Sequence, residues 1–241
     1  YFALRLPALR PSRANFRLDR PLLGRIASVS VLTSVQQSIM NFGILLVQSL
    51  VNSFGIATMA AFAAGVKIDS FAYSPAQDFA NGFATFVAQN TGAGKPDRVK
   101  QGIHEAALLS LSFCAVVSAL IFVFARPLLT LFIDPGETEI LDIGMHYLRV
   151  EGVFYVGIGL LFLLYAIYRG LEQAGMSVVL TVISLGLRVV LAYAFAPHFG
   201  VTAIWLAIPI GWFIADAVGL LRLRGSLGKT VGVLPQTPSG T

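Results

Sequence analysis

The sequence predicts an all-α polytopic membrane protein with six transmembrane helices, and composition, run length and the placement of the bases predict it. Of the 241 residues, 56% are hydrophobic and 12% charged, about half the charged share of a soluble domain. Six apolar runs reach the roughly 20 residues that a helix needs to cross a hydrocarbon core of about 30 Å. Open backbone cannot face lipid, so these runs are helices. The composition excludes an ordinary cytosolic enzyme. The net charge of +5 comes from bases in short segments between the apolar runs, which fits basic flanks beside anionic lipid better than a nucleic-acid surface. The single Cys114 permits no intrachain disulfide.

The runs lie at about 25–52, 57–89, 101–125, 139–168, 174–196 and 201–221. The second and fourth exceed a perpendicular crossing and are expected to tilt or kink. Turn residues separate them: Asn52-Ser53-Phe54-Gly55, Gly92-Ala93-Gly94-Lys95-Pro96, Asp134-Pro135-Gly136, the turn from Arg169 to Gly175, and Pro197-His198-Phe199-Gly200. These connections are too tight for domain linkers. The expected organisation is a basic cytoplasmic flank over 1–21, a six-helix body over 22–222 and a polar cytoplasmic tail over 223–241. With the N-terminus inside, thirteen of the 17 bases fall on the cytoplasmic side, which puts both ends of the segment there.

Polar residues at helical spacing mark a face turned toward protein or water rather than lipid. In the first span Ser30, Ser34, Gln37, Asn41, Gln48 and Asn52 form such a stripe, widened by Gln36. In the second, Lys67, Ser70, Ser74, Asp78, Asn81 and Thr85 follow steps of three and four, with Asp69, Tyr73 and Gln77 alongside. Pro75 stands among them, where it deletes a ladder hydrogen bond and is expected to bend the helix. The cavity-lining candidates are Gln37, Asn41, Asp69, Tyr73, Gln77, Asp78 and Asn81. Depth counted at about 1.5 Å per residue sets Lys67, Glu151 and Arg188 within one or two turns of each other. They are candidates for a charge network, with Lys67 paired to Asp69 or Glu151 and Arg188 to Glu151, because an unpaired charge there costs several kcal/mol. Asp216 is expected at a solvated helix end. Ala57, Ala61 and Gly65 recur every fourth residue and allow close helix approach.

Catalytic chemistry has little support. Gly92-Ala93-Gly94-Lys95 only partly matches a phosphate loop, because Gln89 and Pro96 occupy its other required positions. His104, His146 and His198 are scattered without further metal-type ligands. No catalytic residue, metal or cofactor is assigned.

Pro75-Ala76-Gln77-Asp78-Phe79 and Val87-Ala88-Gln89-Asn90-Thr91-Gly92-Ala93-Gly94 resemble the second helix of a lobe in the multidrug and toxic compound extrusion (MATE) transporters. Tyr168-Arg169-Gly170-Leu171 resembles that family's turn after the fourth helix of a lobe. The helix from Leu22 to Gly55 and the start of the last helix, Gly200-Val201-Thr202-Ala203-Ile204-Trp205-Leu206-Ala207, extend the likeness over about residues 20–222. The resemblance implies one lobe of a twelve-helix, two-lobe antiporter that exchanges small, amphipathic, often cationic compounds for H⁺ or Na⁺ across the plasma membrane. This chain is similar to the C-terminal lobe. Tyr1-Phe2-Ala3-Leu4 would then end the sixth helix of the whole protein, residues 5–21 would connect the lobes, and the N-terminal lobe would be the missing partner. Members with a cation site in this lobe carry carboxylates where this chain has Gln36, Gln37, Met40 and Asn41, and Gly157, Ile158 and Gly159. The sequence is therefore similar to the DinF-like branch, whose coupling aspartate lies in the N-terminal lobe. The alternatives are a lipid-linked oligosaccharide flippase of the same superfamily, which the few intramembrane bases disfavour, and a half-size membrane subunit that transports nothing.

Overall fold

The computed structural model describes residues 19–233. The flank expected over 1–21 therefore lies outside the described residues except for its last three, as does the end of the tail. Among the described residues there are seven helices and no strand: α1 (Arg20–Asn52), α2 (Ile56–Gly92), α3 (Pro96–Leu129), α4 (Thr138–Gly152), α5 (Tyr155–Gly170), α6 (Ala174–Phe199) and α7 (Val201–Val233).

Local chemistry sets the ends. Asp19 caps α1 by accepting from the Leu22 amide, and a proline occupies its first turn. Gly200 separates α6 from α7 at φ +68°, a conformation that side chains with a Cβ rarely adopt. The third span is longer than its apolar run, starting at Pro96 and ending at Leu129. Pro127 lies near its end, and Phe124 leaves helical dihedrals at φ −101°, ψ 17°, the kink expected where proline removes an amide and crowds the preceding turn. α2 runs on through Pro75 as one helix.

Two boundaries differ from the sequence expectation. The fourth span is two helices, α4 and α5, bent by 52° across the break at Val153-Phe154. α7 continues to Val233, past the expected end near 221. Leu221, Arg222, Leu223 and Arg224 are tolerated in a helix, and no proline follows before Pro235.

α1, α3, α6 and α7 are each long and apolar enough to cross a membrane, and α4 with α5 forms a further, broken span. α2, at 37 residues, is long enough but carries the polar stripe, so it depends on its neighbours for cover. It packs on α3, α4 and α5. α5 is the hub, in contact with α2, α3, α6 and α7 and buried along nearly its whole length. α1 lies against α6, with lesser contact to α2.

Gly65 explains how α2 and α4 come so close. A Cβ there would sit 2.4 Å from the Tyr147 ring, so only hydrogen leaves room for the phenol. Tyr147 in turn meets Trp205 edge-on at 4.7 Å, and Trp205 stacks on Phe62 at 5.3 Å, tying α2, α4 and α7 together. Gly65→Ala is expected to lower stability by about 1–3 kcal/mol. Thermal unfolding in detergent checks this, and the loss should shrink in a Tyr147→Ala background, where the clash is gone.

Candidate functional site: a polar cavity inside the bundle

A cavity of about 270 Å³ opens between α1, α2, α4, α5, α6 and α7. Its polar wall is Gln37 of α1, Asp69, Ser70, Tyr73, Ser74 and Gln77 of α2, Tyr147 and Glu151 of α4, Tyr165 of α5, and Ser184 and Arg188 of α6. Met40, Ile44, Phe62, Phe162 and Trp212 supply apolar surface.

Asp69 is the most buried acid of this wall, at 2% exposure. Both its oxygens accept from phenols, Oδ2 from Tyr147 and Oδ1 from Tyr155. On one straight helix, residues eight apart point about 80° from each other. The bend between α4 and α5 lets both hydroxyls converge on one carboxylate. Tyr73 packs edge-on to Tyr155 at 6.4 Å and against Phe162 at 5.8 Å, extending the aromatic lining.

Glu151 and Arg188 share the cavity with Asp69, but no ion pair within 4.0 Å joins them among the described residues. Glu151 Oε2 and Arg188 Nε are buried without hydrogen-bond partners. Lys67 departs from the expected network. It is exposed, with Nζ 5.7 Å from the centre of the Phe132 ring, and it takes no part in the cavity wall. Residues 67 and 69 are about 200° apart around a helix, so equal depth did not mean a shared face. Tyrosines, not Lys67, satisfy Asp69.

The remaining candidates divide. Gln37, Asp69, Tyr73 and Gln77 line the cavity. Asn41 and Asp78 are exposed and outside its wall, with Asn41 accepting from Gln37 Nε2 at 3.3 Å. Asn81 belongs to a smaller recess of about 40 Å³ that adjoins the cavity, with Gln36, Gln37, Met40, Gln77, Phe162, Tyr165 and Arg169. Sequence reasoning missed Tyr147, whose only signal was its place one turn before Glu151. It also placed Asp216 wrongly. Asp216 is 3% exposed and neither carboxylate oxygen has a partner; it is an inner residue of α7 because that helix runs on well beyond 221. Among the described residues no group of three or more His, Cys, Asp or Glu is placed to hold a metal.

Residues 33–194 match the MatE family, more than half of the chain. The chain belongs to the MatE family. Its curated relatives include the "Probable multidrug resistance protein YoeA" of Bacillus subtilis, 27% identical over 88% of this chain and 45% of that protein. Another is the "FAD transporter" of Shewanella oneidensis, 29% identical over 82% of this chain and 44% of that protein. A solved structure described as the "Outward-facing conformation of a multidrug resistance MATE family transporter of the MOP superfamily" superposes with a TM-score of 0.88 at 22% identity, over 95% of this chain and 52% of that one. A MOP superfamily transporter from Pyrococcus furiosus gives 0.87 at 22% identity over the same shares. At that identity the likeness establishes the fold. The chain spans about half the length of the curated relatives it matches. The family is one of membrane transporters, not enzymes.

The two phenol bonds to Asp69 are expected to contribute about 1–3 kcal/mol each, read as the stability lost in Tyr147→Phe and in Tyr155→Phe. In the double Phe variant the carboxyl is left bare. Adding Asp69→Leu to that double variant should then recover stability, and a further loss would show that the carboxyl has other partners.

Proposed function

We propose that this chain is the C-terminal six-helix lobe of a MATE-type antiporter in the plasma membrane, exporting amphipathic, often cationic organic compounds in exchange for H⁺ or Na⁺ by alternating access. The observation that carries it is the cavity. Two acids, Asp69 and Glu151, and one base, Arg188, stand with aromatic rings in one pocket of a bundle built to sit in lipid, a placement that polar groups rarely take in a membrane without function. The pocket suits an aromatic cation. Asp69, fixed by two phenols, supplies a positioned negative charge, and Tyr73, Phe162 and Tyr165 present ring faces and edges.

The N-terminal lobe is the proposed partner, and it supplies the opposite cavity wall and the residue that binds the coupling ion. The exposed polar residues of α1 and α2, among them Asn41, Asp78 and Asn81, would then face that lobe rather than lipid. Both ends of the segment are assigned to the cytoplasm on the distribution of bases. Two lobes meeting around a midplane site agree with transporters built from repeats.

The test is efflux of ethidium from cells or proteoliposomes carrying the complete protein, with and without an imposed H⁺ or Na⁺ gradient. Gradient-dependent efflux is expected, lowered at least tenfold by Asp69→Asn and several-fold by Glu151→Gln, Gln37→Ala or Gln77→Ala. Unchanged efflux and binding in all four variants would remove the cavity from the transport path. Residues 1–241 alone are expected to transport nothing, and efflux by them would overturn the need for a second lobe.

A further inference from the structure

The smaller recess differs in charge from the main cavity. Arg169, in the last turn of α5, reaches into it and donates from Nη2 to Asn81 Oδ1 at 2.7 Å. Its Nε is buried without a hydrogen-bond partner, and no acid lines the recess. The other polar groups of the recess are the Gln36, Gln37 and Gln77 amides and the Tyr165 hydroxyl. Asp78, next along α2, is exposed and outside the recess. A cation is thus held by a neutral amide at the wall of a polar recess that no acid lines.

Both pockets share Gln37, Met40, Gln77, Phe162 and Tyr165. They are two ends of one surface. Asp69 and Asn81 stand twelve residues apart on α2, about 18 Å along its axis. One end carries two acids against one arginine, and the other carries one arginine alone.

We propose that the recess is an oxyanion station: Arg169 receives the phosphate or carboxylate of a transported compound whose aromatic body lies along Phe162 and Tyr165. A guanidinium is a planar fork that meets two oxygens at once, and an unpartnered donor at the wall of a low-dielectric recess gains most from a charged acceptor. The amides provide additional donors without repelling the anion. The inference rests on the reading of the cavity as the substrate path, and it adds to that reading an end of opposite polarity. Continuity with the cavity favours a soluble compound over a lipid headgroup as the source of the oxyanion.

Thiamine and thiamine monophosphate make the test, because they are one aromatic cation with and without a phosphate. Their binding to the complete protein is measured by calorimetry in phosphatidylcholine nanodiscs. The phosphate form is expected to bind at least about tenfold more tightly, equivalent to one good charged contact. Arg169→Gln should bring the ratio to within about twofold of one, and Arg169→Lys should keep part of it. Asn81→Asp sets a carboxylate against the guanidinium without removing any arginine. It should abolish the preference too, and it keeps the test open if Arg169→Gln does not fold.

A ratio of one in the unsubstituted protein overturns the station, as does a preference lost in Arg188→Gln but kept in Arg169→Gln. A preference that vanishes when phosphatidylglycerol is added assigns the recess to lipid and also overturns it. Thiamine binding without a phosphate preference leaves the cavity reading standing. Binding of neither compound, together with no ethidium binding, counts against both.

Discussion

One carboxylate shared by two phenols organises this bundle. Asp69 on α2 is too deep to be left without partners and, among the described residues, has no cation beside it at salt-bridge distance. Tyr147 and Tyr155 satisfy it from either side of a break. That places three demands on the chain. α4 and α5 must bend at Val153-Phe154, α2 must offer a glycine under the Tyr147 ring, and α7 must bring Trp205 to hold that ring in place. Glu151, in the turn before the break, is carried into the cavity by the same bend. The geometry of the polar cavity is thus a consequence of how one buried acid is satisfied.

Polarity is distributed along the cavity as well as around it. Neutral amides and ring faces occupy its middle, where no charge has to be paired, and the ionisable groups lie toward its two ends. The charges are not equally served: Asp69 has two phenols and Arg169 an amide, whereas Glu151 Oε2 and Arg188 Nε are buried without a hydrogen-bond partner and carry the larger desolvation cost. The distribution also gives the wall a direction, with both acids toward one end and Arg169 at the other, that an apolar groove would lack.

Much of this was legible in the sequence. Helix length and the glycine- and proline-marked turns gave the spans, because bilayer thickness is a one-dimensional constraint that a run of residues either meets or fails. The steps of three and four through Ser70 and Ser74, with Asp69, Tyr73 and Gln77 on the adjoining strip, marked the polar face, because helix period projects directly onto the sequence. Lys67 and Asp78 of the same stripe lie outside the cavity wall. The family also followed from local strings around Gln89-Asn90 and Arg169-Gly170, which the match over residues 33–194 bears out. Rotation about the helix axes was harder. Lys67 and Asp69 are level in depth but face opposite ways, and depth counting does not register that. The phenols that hold Asp69 are 78 and 86 residues downstream, so no periodicity links them to it. Asp216 was misplaced because the end of hydropathy was taken as the end of the helix, and α7 outlasts its apolar run.

α5 touches α2, α3, α6 and α7, so nearly all of its surface is covered by parts of the same chain, and two of those parts are made after it. During synthesis it enters the bilayer with one side still open to lipid. Its near-uniform apolarity, with no polar side chain between Tyr155 and Tyr165, lets it wait there without cost. The Asp69 contact needs only residues up to 155, all of them synthesised before α6, whereas Arg188 comes later in the chain. The ribosome therefore delivers the acids of the cavity first and the base that faces them last.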